Sequence, residues 1–283
     1  MKRIEYLLND VRLHSDNKDI NGILDREIIQ YFNDGIKLIQ ATVFKNDPLC
    51  THFIVTSDVF SAAEDEEIDL PTDCYADSAI SSVLASEDGG HWHPLERIWE
   101  EDHNSLGFKI EGKKLILSFD VNYVKIKYFK RLPRFDKRWA SIASKVGSVL
   151  NLSGATDTDL SLVNDTISVV DADGVIVQGN IKTSSYSLPT SLTSSTTLLG
   201  SVAAGQFIVS GGYSTTICDL PEECETLLMD YVKLRLLTRN NYTDAIKQQA
   251  FSEEQKQIIA DIFARNAKDR TAPPITDTDY LWV

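Results

Sequence analysis

Three of the chain's five histidines fall within one stretch, HWHPLERIWEEDH, residues 91–103, together with four carboxylates and two tryptophans. If His91 and His93 both stand on one strand, their i, i+2 spacing turns them to the same face. With Glu96 or His103 they could then hold a zinc ion and activate water, the chemistry of a metal-dependent hydrolase. Against this, Pro94 interrupts the strand after His93, and neither an H-E-x-x-H pair nor a cysteine pair supports the spacing. The expectation is a surface hairpin with no metal and no cofactor.

Other catalytic signatures are absent from the sequence: G-x-S-x-G, the phosphate-cradling G-x-x-x-x-G-K-[ST] and G-x-G-x-x-G do not occur. Asp157, Asp159, Asp171 and Asp173 have the look of calcium ligands but lack the glycine and terminal glutamate of a helix-loop-helix site, so they read as turn formers. Acidic pairs such as Glu100 and Glu101 are expected by chance among 42 acidic residues and usually coat a solvated face. The expectation is a protein without catalytic activity.

The elements that carry these residues follow from apolar spacing. Ile4, Leu7, Leu8 and Val11 recur at helical intervals, as do Ile29, Phe32, Ile36, Ile39 and Val43, so two helices joined by the polar stretch Ser15 to Gly22 open the chain. After Pro48 the period changes to that of strands. Residues 79–85 and 91–99 flank the turn Glu87-Asp88-Gly89-Gly90, residues 108–110 and 115–119 flank a second turn, and Tyr123 to Phe129 alternates. Between Asn151 and Ile217, 22 of 67 residues are Ser or Thr and the only cation is Lys182, which marks an inserted module. Within it, 166–170, 175–177 and 206–209 read as strands, whereas 183–201 carries a weaker pattern. Helices return at Pro221, with Leu227, Leu228, Tyr231, Leu234 and Leu237 as the expected buried stripe. Ser252 and Gln255 then form a capping box ahead of Ile258, Ile259, Ile262 and Phe263.

The fold class expected is α+β: a helical bundle from the N- and C-terminal helices, a small antiparallel β-sheet and an inserted Ser/Thr-rich β module. The expected segments are a helical hairpin at 1–47, the antiparallel β region at 48–150, the insert at 151–217, completing helices at 218–268 and an extended tail at 269–283.

The formal charge of −14 opposes a nucleic-acid binder, which must neutralise phosphates, yet suits a conduit that DNA passes without being gripped. Lys125, Lys127, Lys130, Arg131, Arg134, Lys137 and Arg138 make the one basic run, expected to face an acidic partner protein, with a band that brakes passing DNA or a plain solvated strand face as the other readings. Four cysteines without C-x-x-C spacing read as free thiols, and no run of 18 apolar residues marks a membrane span. Tyr280, Leu281 and Trp282 follow an extended Pro-Pro lead-in, which favours anchoring on a neighbour over folding back.

This order of elements, with Leu70-Pro71-Thr72-Asp73, Pro94-Leu95-Glu96-Arg97, Leu132-Pro133, Leu220-Pro221-Glu222-Glu223 and Ile275-Thr-Asp-Thr-Asp-Tyr-Leu-Trp282, resembles the head-to-tail adaptor proteins of short-tailed bacteriophages, including crAss-like phages. The resemblance covers residues 1–140 and 218–283 and leaves 151–217 without a counterpart. It implies a virion structural protein that forms a ring of about twelve copies between the portal and the tail tube or nozzle. Such a protein sits in the virion neck after assembly in the host cytoplasm, and genomic DNA slides through it without specific binding. It further implies that Ile275, Tyr280, Leu281 and Trp282 dock on the portal, and that the insert projects outward, where its strands could pair with capsid, tail-fibre or neighbouring adaptor chains. A tail-fibre or receptor-binding protein using the β insert is the other structural reading.

Overall fold

A computed structural model describes residues 3–14, 23–62, 67–76, 79–98, 107–154, 166–187, 190–238, 253 and 255–263. Two helices open the chain as their apolar spacing requires, α1 (Ile4–His14) and α2 (Asp25–Asn46). Ile4, Leu7, Leu8 and Val11 are buried along α1, and Ile28, Ile29, Phe32, Ile36, Ile39 and Val43 along α2. The chain divides within α2 into two compact units, Met1–Leu38 with Leu132–Gln255 and Ile39–Arg131 with Lys256–Val283.

The unit built on residues 39–131 holds an eight-stranded sheet. Its strands are β1 (Ile54–Thr56), β2 (Phe60–Ser61), β3 (Glu67–Asp69), β4 (Ile80–Ser86), β5 (His93–Arg97), β6 (Gly107–Glu111), β7 (Lys114–Leu117) and β8 (Tyr123–Phe129). The order is β1-β8-β4-β5-β6-β7-β3, with β2 also on β8. The two hairpins expected from the turn residues are present as β4–β5 and β6–β7. Between them, β5 and β6 run parallel, Glu96 opposite Gly107. A side chain at position 107 would strike the carbonyl oxygen of Glu96, so glycine is needed where the two backbones meet. Alternation along β8 buries Val124 and Ile126 and turns Lys125 and Lys127 the other way. At one end of β8, Phe129 stacks on Phe53 at 4.8 Å and meets Phe44 edge-on at 5.2 Å. Phe263, from the helical residues 255–263, packs on Phe53 at 5.6 Å.

In the other unit, β9 (Arg134–Phe135) leads into a closed six-stranded barrel. The barrel strands are β10 (Ala140–Val146), β11 (Val149–Ser153), β12 (Thr166–Val170), β13 (Ile176–Ser187), β14 (Ser191–Ser194) and β15 (Phe207–Ser210). They close in the order β10-β11-β14-β13-β12-β15. Ile142, Leu150, Leu152, Ile167, Val169, Ile181, Leu192 and Ile208 fill the interior with Trp139. The abundant Ser and Thr serve largely the outer wall, where Ser141 and Ser153 share a 2.7 Å hydroxyl pair across β10 and β11, and Asn151 donates to Ser144. The barrel begins at Ala140, eleven residues ahead of the change in composition. The reason is that β10 carries Lys145 beside Ser141 and Ser144, so the cation-poor stretch starts only after this strand. Residues 183–201, weakly patterned in sequence, contribute the end of the twelve-residue β13 and all of β14. Beyond the barrel, β16 (Ser214–Thr215) pairs in parallel with β9.

The helix α3 (Glu222–Thr238) packs on α1. Its buried face is Cys224, Leu228, Val232 and Leu236, while Leu227, Tyr231 and Leu234 are only partly buried. Of the expected stripe, Leu228 lies on this face, Leu227, Tyr231 and Leu234 do not, and the side chain of Leu237 lies outside the described residues; α3 carries leucines on both sides, and spacing alone cannot choose between them. Gly35 of α2 lies against α3, where a Cβ would come within 2.5 Å of Leu228 Cδ1.

The expected helical bundle with a small sheet is therefore overturned. Among the described residues strand outweighs helix, 39% to 27%, and the architecture is a six-stranded barrel and a half-barrel sheet with four helices, the fourth being the helical residues 255–263. β pairing is only partly local: hairpins are marked by their turn residues, but long-range pairs such as β11 with β14 and β10 with β15, which make the barrel, leave no short-range signature.

Candidate functional site

His91 does not stand on a strand. It ends the β4–β5 turn, where Asp88 accepts hydrogen bonds from the Gly90 and His91 backbone amides at 2.8 and 2.9 Å and faces His91 Nδ1 at 2.8 Å. The His91 amide and ring hydrogen bonds hold the Asp88 carboxyl well below its ordinary range, and Asp88 in turn raises the imidazole. His93 begins β5 opposite Ala85, so the shared strand face expected for the two histidines does not exist. Glu96 lies further along β5, and His103 is outside the described residues. Among the described residues no group of three His, Cys, Asp or Glu side chains could hold a metal. Asp171 is a turn former, its Oδ1 accepting from the Asp173 and Val175 amides. All four cysteines are free and buried, and burial pushes the Cys218 thiol up to about 12.

The basic run is split between the two units and put to local use. Lys125 lies over the Trp92 ring at 4.0 Å, and Lys127 pairs across the sheet with Ser82 and Thr56. The Lys130 carbonyl accepts from Gln40, and Arg131 donates to the Tyr75 carbonyl. In the barrel unit, Lys137 bridges to Asp25 at 3.1 Å and covers Trp139 at 4.4 Å. Arg138 lies over Phe207 at 4.1 Å and donates to the Ala172 carbonyl. The docking residues expected in the tail, Ile275, Tyr280, Leu281 and Trp282, lie outside the described residues.

The barrel unit also contains a cleft of about 170 Å³ that the sequence did not reveal. One wall is the face of α2 that presents Arg26, Gln30 and Asn33, spaced by four and three residues. The opposite wall is the segment from Arg134 to Trp139, and Ser210 and Gly211 at the end of β15 complete it. Asn33 fixes the two walls to each other: its amide donates to the Phe135 carbonyl at 3.0 Å and accepts the Phe135 N–H at 2.8 Å. Asp136, 6% exposed, accepts from Trp139 Nε1 and the Ser210 amide, both at 2.7 Å on Oδ2, and from the Lys137 amide on Oδ1. Burial pushes this carboxyl up to about 6, although these hydrogen bonds and nearby Lys137 act against the rise. Burial alone would raise Asp25 as well, but Lys137 and Arg12 outweigh it and leave that carboxyl lowered.

With Asp136 tied into the wall, the groups left to meet a visitor are the exposed heads of Arg26 and Arg134; the Gln30 amide is committed, donating to Asp34 Oδ1 at 3.0 Å and accepting from Arg134 at 3.4 Å. Among the described residues neither guanidinium pairs with a carboxylate. The arrangement suits a planar anion, because guanidinium forks match carboxylate geometry. One sequence signal was available. In Phe135-Asp136-Lys137-Arg138-Trp139 two aromatics bracket three charged residues, one of them an acid within the basic run.

Compared with protein-family models and with curated proteins, the sequence matches none.

Proposed function

We propose that the chain is a non-catalytic structural subunit that assembles into a ring, acting as a head-to-tail adaptor between a bacteriophage portal and its tail tube or nozzle. The observation that carries this reading is the outer face of α1. Tyr6 and Leu13, seven residues apart on one side of the helix, are 60% and 79% exposed, and Leu24 at the start of α2 is 73% exposed. Arg12 donates to the Ile23 carbonyl and to Asp25 Oδ1, tying the end of α1 to the residues that flank Leu24. Large apolar side chains gathered in this way mark an interaction surface, and in a ring the neighbouring copy would cover it. The acidic excess supports passage of DNA without adhesion.

The closed barrel has no free strand edge, so a capsid or tail-fibre partner would meet its outer wall or loops, and strand pairing is not available to it. The tail residues Ile275, Tyr280, Leu281 and Trp282 remain the proposed portal latch.

The test is to mix the full chain with the portal protein of the same virion and view the product by negative-stain microscopy. A ring seated on the portal, lost when residues 273–283 are deleted, is the expected result. A chain that never joins the portal would remove the proposal, and unchanged binding by the truncated chain would remove the latch.

A further inference from the structure

We infer that the Arg26–Arg134 cleft is the charged half of the contact between copies, accepting a carboxylate side chain from a second copy of this chain. The inference rests on the ring reading above and adds the residues that recognise the neighbour.

Three observations lead to it. The first concerns charge. Carboxylates outnumber cations 42 to 28, and where cations of this unit are committed they meet Asp25, as Arg12 and Lys137 do, or a backbone carbonyl, as Arg3 and Arg138 do. Arg26 and Arg134 have neither among the described residues, and both line the same cleft. Their natural complement is a carboxylate from outside, and the same acidic excess makes the surface of a second copy rich in that group.

Size is the second. A space of about 170 Å³ would hold about five waters, or one acidic side chain with a water or two, and is too small for a folded element. The visitor would stop at the mouth, because the wall behind it contains Asp136, whose oxygens already accept three N–H groups and offer no donor. A carboxylate held between Arg26 and Arg134 at the mouth keeps clear of that like charge.

The third is continuity. Leu24, 73% exposed, is two residues from Arg26, so the apolar surface and the cationic cleft adjoin on one unit. An apolar centre beside a charged pocket is the usual division within a protein interface: burial supplies affinity, and the ion pair fixes register.

Sedimentation velocity of the full chain without portal, over a concentration series at low and high salt, tests the assignment. The expected result is reversible self-association that weakens with salt. The double variant Arg26→Glu, Arg134→Glu should weaken it by at least about tenfold, as expected for a lost charge-assisted pair. Arg26→Gln with Arg134→Gln should fall between, and Lys125→Glu on the other unit should match wild type. Both arginines are exposed, and an unchanged thermal melt will show that the variants fold. Wild-type chain that stays monomeric at every concentration, or variants that associate as wild type does, would overturn the cleft assignment. Neither outcome touches the ring reading, which the portal experiment decides separately.

Discussion

The side chain of Asn33 and the backbone of Phe135 form a two-bond clasp, one N–H donated and one accepted, joining α2 to β9 across 102 residues of sequence. Asn33 is 3% exposed and its amide also donates to the Ile29 carbonyl, so both ends of the side chain are committed. Leucine has similar bulk but cannot satisfy either group of Phe135. Asn33→Leu should cost about 2–4 kcal/mol, because a buried N–H and a buried C=O both lose their partner. Urea unfolding would show this as a lower midpoint, and an unchanged midpoint would mean that water replaces the clasp.

Gly35 and Leu228 test the contact between α2 and α3. Alanine in a helix interior is favoured over glycine by about 1 kcal/mol, but overpacking against a buried leucine costs about 1–3 kcal/mol. At 2.5 Å the clash should win, and Gly35→Ala alone should destabilise. In a Leu228→Ala background the Tyr231 ring, 3.0 Å from the added Cβ, remains, so the cost should shrink without vanishing. A double-mutant cycle that shows no coupling between the two positions would mean that the helices do not approach as described.

Asp136 gives stability a dependence on pH whose sign follows from burial. Its carboxyl is pushed up from 3.8 to about 6 in the folded chain, so the folded state holds its proton more tightly than the unfolded state does. This contribution is complete below the unfolded value and is lost as pH rises through the folded one. Asp136→Asn, which does not titrate, keeps an oxygen for Trp139 Nε1 and the Ser210 amide. The stability of wild type relative to this variant should fall by about 3 kcal/mol between pH 4 and pH 7 and level off above. Parallel pH profiles for the two proteins would show that the carboxyl is not buried in the wall.

His91 and Asp88 provide a check at the surface. The imidazole titrates above its ordinary value because Asp88 faces it. Asp88→Asn should return the His91 titration, followed by NMR, towards that of an ordinary exposed histidine. A His91 curve that ignores the substitution would place the ring away from the carboxylate.

Part of this structure can be read from the linear order of residues. Ile4, Leu7 and Val11, or Phe32, Ile36 and Ile39, declare a helix because each is within four positions of the next, and the turns at 87–90 and 111–114 declare hairpins because both strands lie beside them. The full burial of Leu228 with Val232 and Leu236 could not be read in this way, since α1, on which α3 packs, is far off in the chain. Barrel closure has the same character. Leu150 and Leu192 are each marked as inward-facing by alternation, yet nothing near either residue says that β11 and β14 are neighbours. The cleft draws on residues 26–33, 134–139 and 210–211, three segments that acquire a common chemistry only when the chain is folded. Local periodicity reflects backbone geometry over a few residues, whereas the choice among distant pairings depends on which arrangement buries the most apolar surface with its polar groups satisfied. That comparison belongs to the whole chain.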